Sequence, residues 1–217
     1  MDSDILRKCA LFRDLDDSGL DRALAFFRAS ERHFRKGDAI NEPGRPLRRF
    51  GLVLSGNIMV FMDDFDGNRQ LMASVMPGST FGESLCFLGI DAQVRIESVT
   101  DSAVLELDAE PVRTPALKED AAEADLRRRF TAMLAERTLA MNDRIQILSK
   151  PAIREKVITL LSQYRASPGE TVELPFGREA MAKYLGVNQS ALSRELSRMQ
   201  DEGIISFKGR RFTVCSR

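Results

Sequence analysis

The residues with most scope for chemistry lie in one loop. Gly82-Glu83-Ser84 opens into Leu85-Cys86-Phe87-Leu88, a glycine turn followed by a short helical run. Backbone N–H groups at such a turn attract anions, so it is a candidate phosphate cradle. Elsewhere chemistry is sparse. Cys9, Cys86 and Cys215 stand singly with no C-x-x-C pair, and His33 is the only histidine. A zinc site or a four-cysteine iron–sulfur cluster is therefore not expected, and each cysteine reads first as a small hydrophobe. There is no G-x-x-x-x-G-K-S/T loop and no nucleophile–histidine signature, so the expectation is a binding protein and not an enzyme.

The elements that must position this loop follow from periodicity. The first thirty residues place Leu6, Leu11, Phe12, Leu15, Leu20, Leu24 and Phe27 at helical spacing, which predicts two or three short helices. From about His33 the period becomes 2, and glycines separate short runs such as RFGLVLSG, NIMVFMDD, RQLMASVM and VRIESVTDSAVLELD. Asp66-Gly67 between two of these runs is a hairpin signal. Many short strands with frequent turns predict an antiparallel sandwich or small barrel.

After Asp108 the pattern is helical again, without Gly or Pro from about Ala121 to Ser149. Leu126, Met133, Ala140 and Ile147 repeat every seven residues, as do Leu134, Met141 and Leu148, with Phe130 and Ile145 broadening the stripe. The spacing predicts a helix of roughly 40 Å whose seam, including Leu126, Phe130, Met133, Leu134, Met141 and Leu148, pairs with a second copy of the chain. Packing wholly against its own barrel is the alternative. No apolar run approaches the roughly 20 residues of a membrane span, which points to the cytoplasm and to no membrane partner.

The formal net charge is zero, but residues 151–217 carry 11 Lys and Arg against 7 Asp and Glu. Within this basic third, a short helix, a turn at Gly186 and a second helix capped by Asn188 form a helix-turn-helix pattern. Ala182, Leu185, Val187, Leu192, Leu196 and Met199 make its buried side. Gln189, Ser190, Ser193, Arg194 and Arg198 face outward, where Arg and Gln can read base edges. A hairpin about Lys208-Gly209 follows, and Lys208, Arg210 and Arg211 suit backbone phosphates.

With these motifs in hand the chain resembles the Crp/Fnr family of bacterial transcription regulators over essentially its whole length. The resemblance is carried by KGDAINEPG, LVLSGNIMVF, DGNRQLMASVMPGSTFGES, the long helix, LSKPAIREKVITLL and YLGVNQSALSRELSRMQDEGII. It implies an α+β chain: an N-terminal antiparallel, jelly-roll-like β-roll of the cyclic-nucleotide-binding type (1–115), a long dimerisation helix (116–150) and a C-terminal winged helix-turn-helix (151–217). It also implies an effector-responsive homodimer on a palindromic double-stranded DNA site, with RNA polymerase and a small-molecule effector as further partners. Ser193 and Arg194 match the family's recognition-helix serine and arginine. Ser190 stands where many members have glutamate, which alters the expected half-site.

In members that bind cyclic AMP, a Gly-Glu pair takes the ribose and an Arg-Ser pair holds the phosphate. Gly82 and Glu83 fit the first, with Ser84 beside them; without a gap the second falls on Gln93 and Val94, and the adenine contacts of the long helix fall on Ala140 and Met141. The four polar contacts are missing, so control by cyclic AMP is not expected. A two-residue shift could present Arg95 to a phosphate instead, and Glu83 could equally cap its own loop or pair with Arg95. Haem is a further alternative, through Cys86, because a related gas sensor uses a cysteine in this loop. Cys9 alone cannot supply an iron–sulfur cluster.

Overall fold

The computed structural model describes residues 3–64, 69–114, 120–164 and 169–215. The chain divides into two compact units, Met1–Leu134 and Ala135–Arg217. In the first, helices α1 (Ser3–Lys8) and α2 (Asp17–Phe26) precede the strands, and the Asp16 carboxylate caps α2 by accepting from the Gly19 N–H at 2.7 Å. The strands are β1 (Ser30–Phe34), β2 (Ala39–Asn41), β3 (Arg45–Pro46), β4 (Arg49–Ser55), β5 (Ile58–Asp63), β6 (Arg69–Val75) and β7 (Thr80–Phe81). After helix α3 (Glu83–Leu88) come β8 (Asp91–Ala92), β9 (Arg95–Ser98) and β10 (Ser102–Asp108), then helices α4 (Glu110–Arg113) and α5 (Ala121–Leu148).

Two four-stranded antiparallel sheets, ordered β1-β10-β4-β7 and β2-β9-β5-β6, with the small β3-β8 pair, form the roll that the glycine-punctuated runs predict. The β5–β6 pairing runs as a hairpin would, while the Asp66-Gly67 turn and the expected boundary at 115/116 lie outside the described residues. Gly51 on β4 sits opposite Phe81 on β7, and a Cβ there would run into the Phe81 ring. The close approach of the two strands therefore needs a glycine.

The core of this unit is aromatic. Phe12, Phe27, Phe50 and Phe130 are all fully buried, with ring centroids 6.0 Å apart for Phe27–Phe50 and 5.6 Å for Phe50–Phe130. Phe130 comes from α5, and this corrects the expected dimer seam. Leu126, Phe130 and Met133 are buried in the core of their own roll, with Leu134 packed at its edge. Burying Phe130 against the rings of Phe27, Phe50 and Phe87 outweighs holding it free for a partner. Beyond Leu134 the helix changes character: every residue from 135 to 146 is exposed, including Leu139, Met141 and Ile145, each near 60%.

The second unit holds the end of α5, then α6 (Ile153–Gln163) after the break at Pro151, β11 (Thr171–Glu173), α7 (Arg178–Leu185), α8 (Gln189–Asp201), β12 (Ile205–Lys208) and β13 (Arg211–Val214). Its three-stranded sheet is ordered β11-β13-β12. Its core joins Ile147 of α5 to Leu160, Leu185, Leu192, Leu196 and Met199. The helix-turn-helix spacing predicts Leu185, Leu192, Leu196 and Met199 here, whereas Ile147 belongs to the heptad repeat; all are fully buried.

Replacing Phe130 by Ala should leave a large void in the aromatic cluster. Calorimetry is expected to show the unfolding of the amino-terminal unit destabilised by about 3–5 kcal/mol; a change under 1 kcal/mol would contradict this account of the core.

Candidate functional site

Helix α7 ends at Gly186, whose φ of +63° suits a residue without a side chain, and the Val187 N–H closes the turn on the Ala182 carbonyl at 3.0 Å. The Lys156 ammonium of α6 donates to the Leu185 carbonyl at 3.1 Å, satisfying another carbonyl at that helix end. Asn188 starts α8, its side-chain oxygen accepting from the N–H groups of Ser190 at 2.9 Å and Ala191 at 3.4 Å. Leu192, Leu196 and Met199 then face inward, and the opposite face is polar.

On that outer face Gln189 and Arg194 are exposed and Ser193 is half-buried. Arg194 makes no ion pair among the described residues. Two other expected readers are differently engaged. The Ser190 hydroxyl donates to Asn188 Oδ1 at 2.6 Å, so it belongs to the cap. Arg198 reaches Glu195 at 3.2 Å. Glu195 is also held by Arg154 of α6 at 2.7 Å, and Arg154 donates twice to Glu202, at 2.6 and 2.9 Å. The Glu202 and Glu195 carboxylates push the Arg154 pKa further up, and Arg154 in turn lowers that of Glu202.

The wing follows the same pattern. Lys208 is exposed without an ion pair among the described residues, whereas Arg210 and Arg211 share one carboxylate, Glu173 of β11, at 2.9 and 3.4 Å. Beneath it the Arg178 guanidinium lies 4.7 Å from the Phe207 ring centroid and 5.5 Å from that of Phe212, a cation–π contact whose burial lowers the arginine pKa. Arg154, Arg178 and Glu173 escape sequence reasoning. The cross-strand Phe207–Phe212 pair is the one signal that a cation needed seating there.

In the β-roll, Gly82 precedes α3 with φ +80°, and a Cβ there would strike Leu47. Glu83 is only 2% exposed and accepts from the Thr80 hydroxyl at 3.2 Å, so it joins its own loop. The alternative Glu83–Arg95 pair does not form: Arg95 reaches Glu42 at 2.7 Å and Glu97 at 3.9 Å. Ser84 and Gln93 are exposed, and Val94 packs against the core. Ala140 and Met141 are exposed on the part of α5 that belongs to the second unit.

Cys86 is buried and its thiol donates to the Leu47 carbonyl at 3.0 Å. Burial first, and then the nearby Glu83 and Asp108 carboxylates, push its pKa up to about 12; burial raises that of Cys9 as well. In this fold Cys86 is a buried thiol committed to the Leu47 carbonyl. Among the described residues no group of three or more His, Cys, Asp or Glu could hold a metal ion, and no helix is long and apolar enough to cross a membrane.

A thiol reagent at pH 8 should therefore modify the half-exposed Cys215 quickly and the other two cysteines only on unfolding. The folded Cys86 keeps its proton above the unfolded thiol value of about 8.5, so stability is retained below that value and lost as pH climbs toward 12. Equal reactivity of all three thiols in the native protein would refute this.

Comparison with known proteins agrees with this geometry. The cyclic nucleotide-binding domain family matches residues 31–114, and the Crp-like helix-turn-helix domain family matches residues 155–217. The regulatory protein HlyX of Actinobacillus pleuropneumoniae is 26% identical over 188 residues, covering 83% of this chain and 75% of that protein. The nitrogen fixation regulation protein FixK of Bradyrhizobium diazoefficiens is 25% identical over 180 residues, covering 80% and 73%. The catabolite activator protein of Thermus thermophilus shares the fold, with a TM-score of 0.53, 23% identity, and coverage of 94% of this chain and 93% of that one. With a β-roll, a long helix and a helix-turn-helix of this type in one chain, the protein belongs to the Crp/Fnr family of DNA-binding transcription regulators.

Proposed function

We propose that the chain acts as a homodimer on an inverted-repeat DNA site, each protomer placing α8 in a major groove. The observation that carries this reading is Arg194, exposed and without an ion-pair partner among the described residues, on the outward face of a capped helix beside Ser193 and Gln189. Such an arginine can bond a guanine edge in bidentate fashion. Lys208 on the wing supplies a phosphate contact, while Arg210 and Arg211 must leave the exposed Glu173, and Arg198 the half-buried Glu195, to do the same. Exposed pairs of this kind are worth about 0–1 kcal/mol, so a phosphate can displace them.

The dimer contact is built beyond Leu134, through Leu139, Met141, Ile145 and Leu148, the large apolar side chains that α5 leaves exposed. Two copies of α8 would then need to sit about 34 Å apart to enter successive major grooves. The working parts are the sensing roll at 1–115, the helix at 116–150 and the DNA-binding part at 151–217. The homologues are regulators, and a regulator of this design binds and releases DNA without catalysis; RNA polymerase is the downstream partner and the compartment is the cytoplasm.

The roll responds to an effector other than cyclic AMP. Arg95, the one residue that a shifted register could offer to a cyclic phosphate, already lies against Glu42 and Glu97, whose carboxylates would repel it.

DNA selected from a random pool gives the site, and fluorescence anisotropy gives the affinity. Arg194→Ala should weaken binding tenfold or more and relax one base position, corresponding to about 1–3 kcal/mol. Lys208→Gln should weaken all sequences alike and reduce the salt slope by about 0.9. A monomer by sedimentation, or no enrichment of an inverted repeat, would overturn the proposal.

Millimolar cyclic AMP is expected to leave the melting midpoint unchanged. A site with a dissociation constant near 10 μM would instead add about 2.7 kcal/mol at a hundredfold excess and raise the midpoint by several degrees.

A further inference from the structure

Two arginines and two glutamates meet where α6 packs on α8. The Arg154 guanidinium of α6 donates through Nε to Glu195 at 2.7 Å and through both Nη atoms to Glu202, at 2.6 and 2.9 Å. Glu195 gives its other oxygen to Arg198 of α8, at 3.2 Å. The carboxylate of Glu195 therefore stands between two cations.

Those two cations are held unequally. Arg154 meets both oxygens of Glu202 as a planar fork and spends its remaining nitrogen on Glu195, an arrangement stronger than any single exposed pair. Arg198 keeps Glu195 by one longer bond, and its side chain is 66% exposed. A pair of that kind is readily exchanged for another anion.

The exchange is cheap only while Arg154 is in place. When Arg198 turns to a DNA phosphate, Glu195, whose side chain is only 16% exposed, keeps its bond to Arg154 and stays neutralised. Without Arg154, Arg198 would be the one cation paired with Glu195 among the described residues. Releasing it would then strand a half-buried carboxylate next in sequence to Arg194, within the Debye length of about 8 Å over which it repels phosphates.

We propose that Arg154 is a positioning residue for DNA binding: by neutralising Glu195 it frees Arg198 for a backbone phosphate, without touching DNA itself. This rests on the placement of α8 in a groove proposed above, and adds to it the residue that decides whether Arg198 takes part.

Anisotropy titrations of the full chain on its selected site, over a series of salt concentrations, compare Arg198→Gln, Arg154→Gln and the two together. Each single substitution is expected to weaken binding about five- to tenfold at about 0.1 M salt and to lower the salt slope by about 0.9, the loss of one phosphate contact. The double substitution should go no further, because both remove the same contact. Adding Glu195→Gln to Arg154→Gln should restore affinity and slope, whereas a brace between helices is not repaired by deleting another of its bonds. If Arg154→Gln does not fold, Arg154→Gln with Glu202→Gln replaces it as the background, since it strands no carboxylate at the helix end and still leaves Glu195 to Arg198. A slope lowered by about 1.8 in the double variant would mean that Arg154 meets a phosphate itself. That result, or no rescue by Glu195→Gln, overturns the proposal. Arg194→Ala is measured beside them: if it weakens binding while Arg154→Gln leaves the slope unchanged, the positioning role alone fails, and if it does not weaken binding, the placement of α8 fails too.

Discussion

The structure depends on one helix serving two hydrophobic cores. Leu126, Phe130 and Met133 close the aromatic core of the β-roll, and Ile147 enters the core of the helix-turn-helix unit. A helix of 28 residues has more faces than one core can cover. The remainder, from 135 to 146, is exposed on every side. The large apolar residues in that interval stay mostly exposed within their own chain, which gives a physical reason for a partner there and none for a partner at Phe130.

Charge in the DNA-binding unit has a similar economy. The excess of basic residues after Pro151 suggests many free cations, yet four arginines of this part are paired within the chain: Arg154 with Glu195 and Glu202, Arg198 with Glu195, and Arg210 and Arg211 with Glu173. Arg194 and Lys208 remain available without rearrangement. One group would suit base recognition and the other a phosphate, so affinity in low salt and selectivity among sequences would draw on different residues.

Much of this was legible in the sequence because apolar periodicity and turn residues are local signals. The alternating runs place β4, β5, β6 and β10, the uninterrupted stretch after Ala121 gives α5, and the Gly186 and Asn188 punctuation gives α7 and α8. The positions that the sequence leaves open depend on tertiary contact. A heptad looks the same whether its residues meet a partner or their own roll, so Leu126, Phe130 and Met133 were indistinguishable from Met141 and Leu148. Arg95 and Glu83 lie twelve positions apart and suggest a pair, but Glu42 comes to Arg95 from a distant turn. Ser190 reads as an outward polar residue until its hydroxyl is seen to be held by Asn188.

The Asn188 cap has an evolutionary consequence. Ser190 is the second residue of α8, where exposed helix N–H groups favour a negative side chain. An acidic residue there would forfeit the hydroxyl bond to Asn188 but would be welcomed by the helix end, leaving the Asn188 bond to the Ala191 N–H intact. The position can therefore drift between serine and glutamate at little cost to folding, so closely related regulators could part company over their target sequences by a single substitution.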